Sequence, residues 1–169
     1  NKNGNIGVQA LMRDFGINVN MCYGCNSSSA SMSDSKKALK NTYSYSTAVY
    51  QNYSKSDMFA DIISNRPGML DGCMTQTNNR KHWWQFWKAK YVYSNCHQWC
   101  YDGIAYWNNC GQITYDLVHL NWGWHEVDPN NLQPTVNDFN GWYSYTNWNI
   151  PGIGRNYQYA NDMVGNIHP

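Results

Sequence analysis

The order of apolar and polar residues divides the chain into a helical first part and a strand-rich second part. Val8, Leu11, Met12 and Phe15 recur at i, i+3, i+4 and i+7, one face of a helix, and Gly16 is placed to stop it. Ile17-Asn18-Val19-Asn20-Met21 then alternates apolar with polar and predicts a short strand. Tyr23-Gly24 leads into a loop of small residues, Asn26-Ser27-Ser28-Ser29-Ala30-Ser31. Ser33 or Asp34 can cap a second helix carrying Ala38 and Leu39. Ser54 or Ser56 can cap a third, with Phe59, Ile62 and Ile63 on one face, ended by Asn65-Arg66-Pro67-Gly68.

Met69-Leu70 opens an apolar segment of strand type. Residues 83–93 (WWQFWKAKYVY) are aromatic and β-branched and predict another strand. Trp99 to Tyr106 and Thr114 to Trp122 predict two more, joined through Asn108-Asn109-Cys110-Gly111 as a turn. Trp142 to Tyr145 and Met163 to Ile167 add short strands. Helices first and an antiparallel sheet afterwards is an α+β order. Neither an internal repeat nor a low-complexity linker interrupts residues 1–169, which are read as a single domain.

Composition narrows the function classes. The 169 residues carry Lys+Arg 12 against Asp+Glu 11, and only 14% are charged, so the chain lacks the basic footprint of a nucleic-acid binder. Glu126 is its only Glu, which excludes a mechanism that needs two glutamates from this chain. The 9 Trp, 14 Tyr and 4 Phe make it aromatic-rich, unlike a disordered tail. It contains no run of 18 apolar residues, so no membrane insertion is expected. It opens on Asn1 rather than Met, and is read as a processed or trimmed piece.

Cys22, Cys25, Cys73, Cys96, Cys100 and Cys110 form an even set that suits an extracytoplasmic protein (secreted, periplasmic or at the cell surface) with up to three disulfides. Cys96 and Cys100 share a strand face but sit too far apart for an easy bridge, so each pairs elsewhere or stays free. Cys22-x2-Cys25 has the opening spacing of a zinc site, but Cys96, His97 and Cys100 do not complete a common zinc pattern, and no metal is assigned.

Two segments carry chemistry, Cys96-His97-Gln98-Trp99-Cys100-Tyr101-Asp102-Gly103 and Val118-His119-Leu120-Asn121-Trp122-Gly123-Trp124. A His on one strand and an Asn-Trp at the end of the next can meet across a hairpin. The Asn oxygen can then accept from one imidazole nitrogen while the other faces a thiol or substrate, and Trp122 shields that bond.

With these residues the chain resembles the streptopain-type cysteine peptidases, secreted bacterial enzymes of papain-like fold. The resemblance rests on His97, Asp102-Gly103 and Asn121-Trp122-Gly123-Trp124. It extends to Leu11 through Met21, Tyr23-Gly24, the serine-rich loop, Lys37-Ala38-Leu39, Arg66-Pro67 and the closing segment from Tyr159 to Pro169. It implies a papain-like α+β fold, with helices before a twisted antiparallel half-barrel, and a thiol peptidase acting on peptides or proteins. His97 takes the catalytic His position, Asn121 and Trp122 orient and shield it, and Ser27, Ser28, Ser29 and Trp124 contribute to substrate binding. No cofactor is implied. A pro-segment or a protein inhibitor is an expected partner.

The chain also departs from that pattern. The family's nucleophile and oxyanion donor precede the segment represented here, so the nucleophile subdomain is expected in an upstream segment or a separate chain. Cys22 and Cys25 match non-catalytic positions. Asn95-Cys96 replaces the usual glycines, residues 75–95 are an aromatic insertion, and His125-Glu126 stands where Gly-Gly is usual. These changes suit an inactive peptide-binding or regulatory relative as an alternative. A third reading, an aromatic-platform carbohydrate-binding module, draws on Trp83, Trp84, Phe86 and Trp87; burial of those rings in the barrel core and a lid strand is the preferred expectation. His82, His119, His125 and His168 are read as structural or surface residues.

Overall fold

The computed structural model describes residues 2–24, 28–80, 82–88, 90–123, 139–150 and 152–169. In chain order the elements are α1 (Lys2–Asn18), β1 (Cys22–Tyr23), β2 (Ser28–Ser29), α2 (Met32–Asn41), β3 (Val49–Asn52), α3 (Lys55–Ile63), β4 (Gly68–Asn78), β5 (Tyr91–Asn109), β6 (Gln112–Asn121), β7 (Gly141–Ser144), β8 (Asn149–Ile150), β9 (Arg155–Asn156) and β10 (Asp162–Gly165). Six of the strands form one antiparallel sheet in the order β3-β10-β4-β5-β6-β7. The α+β order expected from the sequence is the order observed.

Local chemistry sets the helix ends. The strand expected over Ile17–Met21 does not form, because the helical ladder runs on: Val19 N–H donates to Phe15 O at 3.0 Å and Met21 N–H to Gly16 O at 2.9 Å. Asn20, at φ 52°, closes the turn in the left-handed region. Gly16 does not stop the helix; it lets the Tyr23 hydroxyl lie where a Cβ would clash. The cap of α2 is Ser31, whose Oγ accepts from Asp34 N–H at 3.0 Å, in place of Ser33 or Asp34. The cap of α3 is Ser54, which accepts from Asp57 N–H at 3.3 Å.

The core lies where α3 and the chain around β8 and β9 cover the inner face of the sheet. Met58, Phe59, Leu70, Trp99, Tyr101, Leu120, Trp122, Trp148 and Met163 meet there. One polar knot is embedded beside it. Buried Asp61 receives the Tyr101 hydroxyl at 3.1 Å, Arg66 Nε at 3.1 Å and Asn166 N–H at 2.8 Å. Each polar group there has a partner, as burial demands.

The aromatic run is a second correction. Strand β5 begins only at Tyr91, and Trp83, Trp84, Phe86 and Trp87 sit in the loop between β4 and β5 with their rings exposed. Arg80 folds this loop by donating to Lys88 O at 2.6 Å and Phe86 O at 3.3 Å, so its guanidinium takes carbonyls that a neighbouring strand would take. The burial expected for these rings is therefore not found. Cys73 and Cys96, opposite each other in the β4–β5 register, form a disulfide.

Candidate active site

His97 stands on β5 directly opposite Gly72 of β4. Strand period places His97, Trp99 and Tyr101 on the same face, and the latter two are buried. The imidazole enters an aromatic nest formed by Tyr157 (centroids 5.6 Å), Trp122 (6.3 Å) and Trp99 (6.4 Å). Gly72 makes room for this nest, because a Cβ there would strike Tyr157 O and the Asn161 amide.

A main-chain carbonyl fixes the ring. His97 Nε2 lies 2.8 Å from Trp122 O. A carbonyl only accepts, so Nε2 carries the proton and Nδ1 is the basic nitrogen of the neutral ring. The preceding peptide is held too, where Trp122 N–H donates to Asn140 Oδ1 at 2.8 Å. Asn121 makes a different bond from the one its sequence position suggests. Its side-chain oxygen accepts from Gly123 N–H at 2.9 Å. It also lies opposite Cys100 on the outer face, whereas Leu120 and Trp122 point inward. Burial, partly opposed by the Trp122 bond and reinforced by the Arg155 charge, pulls the His97 pKa below its ordinary value. The ring is therefore neutral near pH 7.

His97 opens onto a cleft of about 420 Å³. Ser28 and Ser29 line it with Asp71 and Gln98, and Gln98 Nε2 ties the serine-rich loop to β5 by donating to Ala30 O at 3.0 Å. Asp71 is pushed up to about 6, chiefly by burial with help from the Asp162 charge, against the lowering effect of the Asp162 N–H bond. Ser27 and Trp124 lie outside the described residues, as do Cys25, His125 and Glu126.

The described thiols are not disposed to attack beside this ring. Cys96 is in the disulfide with Cys73. Cys100, three residues from His97, falls on the opposite face of β5. Cys110 occupies the distant β5–β6 turn, and Cys22 pairs with Ser29 at the cleft rim. Asp102 serves a different histidine, accepting from His119 Nδ1 at 2.6 Å.

Sequence reasoning had no signal for Asn140, Tyr157 or Asp71 at this site. Each arrives from a segment remote in sequence, and only the sheet order brings it to β5.

Helices followed by a six-stranded antiparallel sheet make an α+β fold of the papain-like cysteine-protease type. The chain belongs to the Peptidase C10 family, whose sequence profile matches residues 2–128. Among solved structures it is similar to active wild-type interpain A, a cysteine protease of Prevotella intermedia. The likeness has a TM-score of 0.59 at 20% identity and covers 92% of this chain and 53% of interpain A. The chain thus spans about half the length of that protein. A search of curated proteins returns no match.

Proposed function

We propose that this chain is the histidine-bearing part of a secreted, streptopain-like cysteine endopeptidase. The observation that carries the reading is the His97 ring, fixed through Nε2 on Trp122 O and presented to a cleft bordered by Ser28 and Ser29. A cysteine outside the described residues supplies the thiol, from an upstream segment or a separate chain. Nδ1 of His97 takes the thiol proton. The thiolate adds to the peptide carbonyl, and the imidazolium returns the proton to the leaving amine. Burial that lowers the His97 pKa favours this base role, and a neighbouring thiolate would raise it again by charge. Trp122 excludes water from the ring. The serine-rich loop, with Ser27, Ser28 and Ser29, and Trp124 contact the substrate. A pro-segment or protein inhibitor occupies the same cleft.

The inactive, peptide-binding relative is the second reading, favoured by the locked Cys96 and the absence of a thiol on the His97 face among the described residues. A peptide-based alkylating probe separates the two on the full-length gene product. The enzyme reading expects stoichiometric labelling of one cysteine in that upstream segment or separate chain; labelling of Cys22 or Cys25 contradicts it. Absence of labelling, with retained peptide affinity, establishes the inactive relative.

A further inference from the structure

The β4–β5 ribbon continues past the body of the sheet. Up to Cys73, β4 alternates into the core, but Thr75–Asn78 and Val92–Asn95 are exposed on both faces. The ribbon pairs as far as Asn78↔Tyr91, with Asn79 N–H donating to Lys90 O at 3.0 Å. From Thr75 to Asn78 it reaches roughly 10 Å, at about 3.3 Å per residue. The disulfide closes its base.

At its end the ribbon exposes a cluster of aromatic rings. Trp83 is 86% exposed, Phe86 74% and Trp87 65%. Such a cluster on a projecting tip signals an interaction surface. Three further observations select the partner. The first is charge. From Gly72 to Tyr101 the chain holds Arg80, Lys81, Lys88 and Lys90 and not one Asp or Glu. The second is ring arrangement. Trp83 and Trp84 meet edge to face at 82°, as do Phe86 and Trp87 at 78°. The parallel pair, His82 and Trp84, is closed on itself at 4.5 Å. Splayed rings do not offer the flat shelf that a glycan needs, but they suit a soft, disordered interface. The third is backbone satisfaction. The carbonyls of Phe86 and Lys88 bond to Arg80, that of His82 to Gln85 N–H and that of Gln85 to Lys88 N–H. Pairing these carbonyls within the loop lowers the cost of entering a poorly hydrated layer.

We propose that this tip docks the protein on an anionic lipid bilayer surface. Trp83, Phe86 and Trp87 enter the headgroup layer, where indole rings are favoured, and Lys88 and Lys90 face the lipid phosphates. This is interfacial docking by a loop; no described helix is long and apolar enough to cross a membrane.

The test is co-sedimentation of the intact chain with vesicles of phosphatidylcholine, alone or mixed with phosphatidylglycerol. The wild type pellets with the anionic vesicles and is released by high salt. The triple variant Trp83→Ser/Phe86→Ser/Trp87→Ser loses about tenfold or more in affinity with an unchanged melting profile, because these rings are already exposed. Lys88→Gln/Lys90→Gln abolishes the preference for anionic lipid. Failure of the wild type to pellet, equal binding to neutral vesicles, or undiminished binding by the triple variant overturns the proposal. So does tip-dependent self-association or tip-dependent binding to an insoluble glycan in place of vesicles.

Discussion

At the residue scale, a main-chain carbonyl does the work usually imagined for a side chain, and this decides which substitutions matter. Asn121→Ala releases Gly123 N–H, the other end of the peptide whose carbonyl holds His97, and so moves the His97 titration midpoint, read from its ring protons by NMR. Asn140→Ala releases the Trp122 N–H, one peptide earlier, and moves it less. In the wild type that midpoint lies below the ordinary 6.5. A depressed folded pKa means that the unfolded chain takes up the proton first, so His97 weakens the fold as pH falls below about 6.5. Asp71 acts in the opposite sense. Its folded carboxyl titrates near about 6 against 3.8, so its contribution is complete below 3.8 and is lost as pH rises through 6. Asp71→Asn therefore stabilises the protein at pH 7.5 by about 1 kcal/mol, the shift being discounted for partial exposure, and the gain vanishes near pH 4. Denaturant melts at the two pH values check this; an equal gain at both would contradict it.

At the element scale, the Cys73–Cys96 staple and the Asp61 knot hold β4 and β5 in place. Replacing both cysteines by Ser costs about 2–4 kcal/mol, from the loop they close in the unfolded chain. Asp61→Ala costs about 3–5 kcal/mol, because it leaves Arg66 and the Tyr101 hydroxyl without their buried acceptor. Equilibrium unfolding of each variant reads both numbers. These elements also show where sequence patterning works. The third helix, the β5–β6 hairpin and its turn were legible, because their period and turn residues agree with their burial. Ile17–Met21 misled because two-residue alternation also fits the last turn of a helix that closes on an αL Asn. Residues 83–93 misled because aromatic content marks strands by virtue of their burial, and here the rings are not buried.

At the scale of the whole molecule, spacing alone brought His97 and Asn121-Trp122 to adjacent strands, and the antiparallel register seats them there. The sequence could not show that the chain reverses from β10 to pair with both β3 and β4, which carries Tyr157 under the imidazole and Asp162 to Asp71. Exposure of Val8, Leu11 and Met12 on α1 was equally hidden, since a helical apolar stripe predicts a buried face. We propose that His97 is the acid–base group of a thiol peptidase site. Its most direct test is hydrolysis of a fluorogenic peptide by the full-length gene product and by its His97→Ala variant. In the variant kcat/KM falls about 10²–10⁴-fold with the fold intact by circular dichroism. Equal hydrolysis by the variant would contradict it.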